Sequence, residues 1–429
     1  MRQNAAEMTS EDAPTPQAAG RGVRTGSILT LGSIANGLLA YVFFAVVTRA
    51  LGADLAAPVA VLWAYWSFAG AALTFPLQHW IARTVAAHDG ERAVRQGVAV
   101  IGGLALAASA MVGLIAWIFS DTLFGPGRAE FALLAAVVTL GAALMGWFRG
   151  VLSARLRFAA VGFGLAAENA VRALGAVALL TADVRDPAAY GLCLVLGYLA
   201  AMVFPSVFAL GRTGRAAAET PLSFLGGTAG GQLLGQTVLT GGPVLLAALG
   251  GAPAEVTGLF AALAIFRAPY TLSLGLVSPL TGRLTALLVA GEVAAWQRLR
   301  RALLGVTGAG LLLAVAVGGL LGPWTVRAVF GADVEVTHTI AMLIAVGSAA
   351  ALVNLVVSLM VLAHGRTSEL TRSWLAALVP GAAWVVGARL ADVAPLTTTA
   401  VAFAVVEVAA LVVLGVRERR TPILSAEGN

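Results

Sequence analysis

Residues 97–119 read GVAVIGGLALAASAMVGLIAWIF, twenty-three residues without a charge, with Arg92 and Arg95 just before them and Arg128 the next basic residue after. A helix rises about 1.5 Å per residue and the hydrocarbon core of a bilayer is about 30 Å thick, so the stretch is long enough to cross it. Outward from it, comparable segments run approximately over 26–48, 57–82, 129–148, 158–181, 188–210, 223–249, 256–280, 302–322, 336–363, 371–390 and 395–416, giving twelve spans. They are apolar on all sides, whereas strands of a membrane barrel alternate in segments of about 10 residues, so helices are expected. Composition agrees: 59% of residues are hydrophobic, only 11% are charged and the mean hydropathy is +0.90, against roughly 25% charged in soluble domains. The expected fold class is an all-α polytopic membrane protein.

All 27 basic residues are arginine. With the N-terminus in the cytoplasm, 20 of them fall in cytoplasmic pieces, from Arg2, Arg21 and Arg24 to Arg417, Arg419 and Arg420, with Arg149, Arg155 and Arg157 together in one turn. The opposite side has five: Arg49, Arg128, Arg185, Arg327 and Arg389. Cytoplasmic loops carry the arginine excess, so both termini are expected inside a multi-pass cell-membrane protein. The calculated pI of 10.3 then reports topology, and nucleic-acid binding is not implied. The chain divides into a disordered cytoplasmic tail over 1–25, a six-helix lobe over 26–215, a second over 216–416 and a short cytoplasmic tail over 417–429.

Absent residue types narrow the function. Without lysine there is no Walker A lysine, Schiff base or lysine base, so an intrinsic ATPase is excluded and no enzyme activity is expected. The single cysteine, Cys193, lies inside a span, and His79, His88, His338 and His364 form no metal-ligand pair on one helix. No cofactor or metal is expected, with coupling to H+ or Na+ left open. The longest cytoplasmic stretch, near 281–301, is too short for a catalytic domain, which leaves movement of a substrate across the bilayer.

Internal echoes support this. Ala50-Leu51-Gly52 recurs as Ala248-Leu249-Gly250, 198 residues on, and Leu123-Phe124-Gly125 resembles Val329-Phe330-Gly331, 206 residues on. Arg155 and Arg157 before span five have a counterpart in Arg366 and Arg372 before span eleven. Six spans per half give both halves one orientation, related by a pseudo-two-fold along the membrane normal, and transporters built this way place substrate between the halves near the midplane.

The stretch Thr48-Arg49-Ala50-Leu51-Gly52, the segment Val256-Thr257-Gly258-Leu259-Phe260 and its continuation through Pro269 to Pro279 resemble the lipid-linked oligosaccharide flippases. These belong to the multidrug, oligosaccharidyl-lipid and polysaccharide (MOP) exporter superfamily, and the resemblance covers about residues 24 to 416. It implies two six-helix lobes around a cavity lined largely by spans one, two, seven and eight. It also implies alternating-access transport of a polyprenyl-pyrophosphate-linked glycan, membrane lipids as surroundings, and a glycosyltransferase or polymerase of the same pathway as partner. Ala57-Pro58-Val59 replaces the aromatic-glycine pair usual there in the family.

Two arginines lie mid-span, where insertion costs roughly 2.5–3.5 kcal/mol and a protein-facing or wet position is required. Arg172 follows Glu168 by four residues on one helical face, an ion pair that is either structural or part of ion coupling. Arg267 has no acid in its own helix; it either lines the substrate cavity, where a guanidinium grips pyrophosphate bidentately, or bonds across to Glu407. Glu407 itself is a structural partner or a protonatable coupling site. Gln232, Gln236 and Thr240 make a polar stripe on span seven, facing substrate hydroxyls or another helix.

Gly226, Gly227, Gly230, Gly231 and Gly235, followed by Gly241-Gly242-Pro243, mark span seven as a close-packing helix that can bend, and Pro269 should kink span eight. Trp63, Tyr65 and Trp66 read as an interfacial aromatic belt, with sugar stacking as the alternative, and His79 as an interfacial residue, with a proton relay as the alternative. Three functions compete: a lipid-oligosaccharide flippase, a drug or metabolite exporter of the same superfamily, and a non-transport component of a glycan assembly pathway.

Overall fold

The computed structural model describes residues 16–215, 230–273, 280, 284, 287, 292–363 and 367–419. Among these the chain is helical throughout its membrane segments and has no strand. The first helix, α1 (Pro16–Ala69), reaches back into the stretch read as a tail and carries two spans across a bend at Gly52, where φ is 74°. A π-turn at Gly70–Thr74 joins it to α2 (Phe75–Ala87). There follow α3 (Arg92–Ile118), the short α4 (Ser120–Phe124), α5 (Glu130–Ala154), α6 (Phe158–Thr181) and α7 (Pro187–Leu196). Beyond α7 the sixth span tightens into 3-10 turns at Gly197–Val203 and Pro205–Phe208 rather than running helically to 210. Ten residues at 1.5 Å and seven at 2.0 Å still give about 29 Å, enough to cross.

The second half has the same order. Span seven is α8 (Gly230–Thr240) plus α9 (Gly242–Ala248), and span eight is α10 (Pro253–Phe266) plus α11 (Ala268–Ser273). Then come α12 (Val293–Phe330), α13 (His338–Ala363), α14 (Thr367–Leu390) and α15 (Pro395–Arg419). Arg298, Arg300 and Arg301, expected in a loop, therefore ride on a helical extension of the ninth span, where Arg300 pairs with Glu418 at 2.7 Å.

The backbone shows why the two sequence echoes exist. Gly52 and Gly250 both take positive φ, 74° and 81°, and Gly125 and Gly331 do so at 91° and 113°. These are the left-handed residues that end helices, a conformation glycine adopts without strain. A third echo escaped the reading of the sequence: Ala182-Asp183-Val184 and Ala391-Asp392-Val393, 209 residues apart, with the aspartates at φ 51° and 54°. Each closes its helix with the same pair of bonds, Val184 N to Leu179 O at 3.0 Å and Val393 N to Ala388 O at 2.9 Å, Asp183 N to Leu180 O at 3.1 Å and Asp392 N to Arg389 O at 3.3 Å. Packing repeats too: the arm of α1 before Gly52 lies on α6 as α8 lies on α14, and α3 lies on α5 as α12 lies on α13.

Contacts between the halves are aromatic in the half of the membrane toward Gly52. Phe44 meets Phe260 at 4.3 Å and Phe330 at 5.5 Å, and Trp63, packed on Phe43 of its own half at 4.9 Å, meets Phe260 at 6.3 Å. Thr257 Oγ1 donates to Ala53 O at 2.6 Å and Arg49 Nη2 to Ala328 O at 3.0 Å, closing the two halves at the end opposite the arginine-rich face. This overturns the aromatic-belt expectation for Trp63, which is 5% exposed because the small residues around the bend bring it against the other half. Tyr65 turns inward as well, bonding Thr139 at 2.5 Å.

Candidate functional site

Proline in spans seven and eight leaves carbonyls without their helical donors, and the site is built around one of them. In span seven the i+4 partner of Leu239 is Pro243, which has no N–H, so the Leu239 carbonyl is orphaned at the break between α8 and α9. Arg267 Nη1 donates to it at 3.0 Å. Arg267 sits at its own break, capping α10 with φ −82° and ψ −7°, and Pro269 beyond it removes another N–H. The bends expected at Gly241-Gly242-Pro243 and at Pro269 thus face each other, with the arginine between them.

Arg267 is half-buried, uses one N–H on Leu239 and has no carboxylate partner among the described residues. The alternative partner, Glu407, lies elsewhere: it is fully buried, and its Oε2 and backbone O accept from Asn354 Nδ2 at 2.8 and 2.9 Å. The Arg267–Glu407 bond is not formed; the carboxylate meets Asn354 of α13 through Oε2 instead. Glu407 Oε1 and Asn354 Oδ1 make no hydrogen bond among the described residues.

Around Arg267, Tyr41 Oη donates to Ala264 O at 2.7 Å, and Gln236 Nε2 donates to Tyr270 Oη at 3.1 Å. Both tyrosines lie within electrostatic reach of Arg267, and Tyr270 also of Glu407. The polar stripe of span seven is only partly available. Thr240 is 4% exposed and its hydroxyl is spent on Gln236 O at 2.7 Å, a back-bond within its own helix, and the side chain of Gln232 lies outside the described residues, as do Gly226 and Gly227. Reading the sequence missed Tyr41, Tyr270 and Asn354. Asn354 carried a signal, a lone amide in an apolar span.

The first half holds a second buried cluster. Glu168 and Arg172 pair at 2.7 Å as expected, but Arg149 joins them with Nη2 at 2.6 Å from the other carboxylate oxygen. Arg149, counted among the loop arginines, is therefore inside: five residues before the end of α5 it turns in toward α6 instead of out to water. Every nitrogen of Arg172 is used, Nε on Leu194 O at 2.8 Å, Nη1 on Asn169 Oδ1 at 2.9 Å and Nη2 on Glu168. Its guanidinium lies between the rings of Trp66 and Tyr198, 4.5 and 5.3 Å from their centroids. Gly197 is obligatory here, since a Cβ would stand 2.5 Å from Arg172 Nε. With both oxygens of Glu168 engaged and Arg172 sealed, the geometry is that of a structural staple.

No family model and no curated protein matches the sequence. In three dimensions an inward-facing multidrug resistance MATE family transporter of the MOP superfamily matches with a TM-score of 0.69 at 15% identity, over 90% of this chain and 97% of that one. The chain has the MOP fold. The lipid II flippase MurJ in an inward closed conformation gives a TM-score of 0.67 at 14% identity over 92% and 88% of the two chains. A MOP superfamily transporter from Pyrococcus furiosus gives 0.60 at 15% over 92% and 94%. These neighbours are named as transporters and a flippase. In this chain the Arg267 cluster lies where α8 and α10 of the second half meet α1 of the first.

Proposed function

We propose that this MOP-fold protein is an alternating-access flippase that carries a polyprenyl-pyrophosphate-linked oligosaccharide from the cytoplasmic to the outer leaflet for polysaccharide biosynthesis. The observation that carries this reading is Arg267, a cation within the membrane at two facing helix breaks, with no carboxylate opposite it among the described residues. An anionic ligand would offset the cost of placing it there, and a pyrophosphate matches the fork of the guanidinium. One structural neighbour, MurJ, is a lipid II flippase, and a second is described as having a binding pocket of reversed polarity that suggests a different function. Gln236 and Tyr41 would line the same site, and Glu407, buried without a cationic partner among the described residues, would be the protonatable group that couples transport to an ion gradient. The bends at Gly241-Gly242-Pro243 and Pro269 would serve as hinges. A cationic drug would instead need an accessible carboxylate at the lobe interface, and Glu407 is fully buried.

The test is a flipping assay in reconstituted vesicles with a labelled polyprenyl-pyrophosphate glycan. Arg267→Ala should lose activity at least tenfold with normal membrane insertion, and Arg267→Lys should keep part of it. Equal flipping by Arg267→Ala would remove Arg267 from the mechanism. Loss of the gene should cause the undecorated lipid-linked glycan to accumulate on the cytoplasmic leaflet; an unchanged lipid pool together with sensitivity to cationic drugs would replace this reading by that of an exporter.

A further inference from the structure

At the arginine-rich end of the first lobe, away from the lobe interface, a groove of about 500 Å3 is lined by Arg95 and Val98 of α3, Leu144 and Trp147 of α5, and Phe208, Leu210 and Arg212 after the sixth span. Its walls are apolar and its polar groups are two exposed arginines, neither of which has a carboxylate partner among the described residues. Arg95 is in the first turn of α3, at headgroup level, and Trp147 lies about 10 Å deeper along α5, seven residues from its end. The groove therefore runs from charge into apolar surface in the direction a lipid does.

Its third wall is fixed. After Phe208 the chain folds back under the lobe and is held by Glu91, which accepts Arg155 Nε at 2.6 Å, Arg155 Nη2 at 3.0 Å and Gly211 N at 2.6 Å. Arg155 also donates to Ser206 O at 2.8 Å and Ala209 O at 2.9 Å, Arg92 N to Thr213 O at 3.0 Å, and Trp147 Nε1 to Val207 O at 3.1 Å. Arg155 holds the Glu91 carboxyl below the usual range, so the clasp is ionised at neutral pH. It secures the segment that presents Arg212 opposite Arg95.

We infer that this groove is a binding site for an anionic phospholipid of the arginine-side leaflet, with the phosphate headgroup between Arg95 and Arg212 and an acyl chain along Val98, Leu144, Trp147 and Phe208. Basic pockets between transmembrane helices recognise anionic headgroups by charge, while the apolar walls replace neighbouring lipid at no cost in solvation. A zwitterionic lipid fills the same walls but gains nothing net from two cations.

Native mass spectrometry of the full chain with phosphatidylglycerol and, separately, phosphatidylcholine tests this. The wild type should retain phosphatidylglycerol selectively, and Arg95→Gln with Arg212→Gln should weaken it by roughly tenfold to thirtyfold, about fivefold per arginine. The charge-matched control, Arg298→Gln with Arg301→Gln on the other lobe, should bind as the wild type does. Val98→Trp fills the groove from an exposed position and keeps both arginines, so it should give the same loss if the double variant fails to fold. Unchanged phosphatidylglycerol retention in the double variant or in Val98→Trp, or an equal fall in the control, would overturn the site.

Discussion

Replacing Arg172 with methionine keeps the length of the side chain and removes its donors and its charge. The residue is fully buried, so nothing in water replaces what is lost. Leu194 O and Asn169 Oδ1 lose their arginine donor, each at about 1–3 kcal/mol for an unsatisfied buried group. The contacts with Trp66 and Tyr198 contribute about 0.5–2 kcal/mol each. Glu168 is not left as a bare charge, because Arg149 remains on its other oxygen at 2.6 Å. Together these terms span about 3–10 kcal/mol, and the range for breaking one side of a buried pair puts the expected net loss in its lower part, about 3–5 kcal/mol. Arg149→Met removes a bond of nearly the same length from the same carboxylate, yet should cost less than about 2 kcal/mol. Arg149 Nε is buried without a hydrogen bond among the described residues, and its removal leaves a one-to-one pair where two cations shared one anion. Thermal unfolding in detergent, followed by the fraction that elutes as monodisperse protein, measures the order. Arg149→Met melting at or below Arg172→Met would refute the assignment of the staple to Arg172.

Three further outcomes follow from particular contacts. Glu407→Gln keeps the bonds from Asn354 and removes the titratable proton, so transport in vesicles should lose its response to an imposed pH gradient while exchange without a gradient persists; an unaltered response would move coupling elsewhere. Tyr270→Phe removes the hydroxyl that Gln236 bonds at 3.1 Å and should lower gradient-driven flipping several-fold with little change in melting; a melting loss as large as that of Arg172→Met would mark Tyr270 as structural. Glu91 has its pKa lowered from 4.5, first by its hydrogen bond from Arg155, so its contribution to stability is present above the ordinary value and is lost as pH falls through the lowered one. Glu91→Gln should therefore melt below the wild type at pH 7, and the difference should shrink as pH drops below about 4.5 and vanish in stronger acid.

The span pattern was legible because it is set by length and hydropathy, which act locally. Ala50-Leu51-Gly52 and its echo were legible for the same reason: a helix end needs a left-handed residue whatever surrounds it. The third echo was missed because aspartate, unlike glycine, does not announce a positive φ. Arg149 was misplaced because a basic residue near a helix end reads as a loop residue; only the approach of α5 to α6 brings it within 2.6 Å of Glu168. Trp63 was misplaced in the same manner, since an aromatic near a span end belongs to the interface unless another helix covers it, and Phe260 does. What stayed hidden for Arg149 and Trp63 was the packing of one helix against another, next in sequence for Glu168 and some 200 residues on for Phe260.

The breaks in spans seven and eight show how local and distant effects combine at the site. Pro243 and Pro269 are sequence features, and each guarantees a carbonyl without its helical donor. Neither says where a replacement donor comes from. The fold supplies it from the facing break, so Arg267 is held by a carbonyl that exists only because span seven is interrupted. A neutral acceptor takes one N–H and leaves the charge of the guanidinium uncompensated, which a carboxylate in the same place would not. Had Glu407 been that partner, the pair would be closed to ligands. Because Asn354 engages Glu407 instead, the cation and the acid remain separate, 140 residues apart in sequence, with the Tyr270 hydroxyl in the field of both. Protonating the acid then changes the field at the turn of α11 that carries Tyr270, three residues beyond Arg267. On the proposed mechanism, ligand charge and proton occupancy act on one short helical segment that carries Pro269, and there either shifts the equilibrium between states.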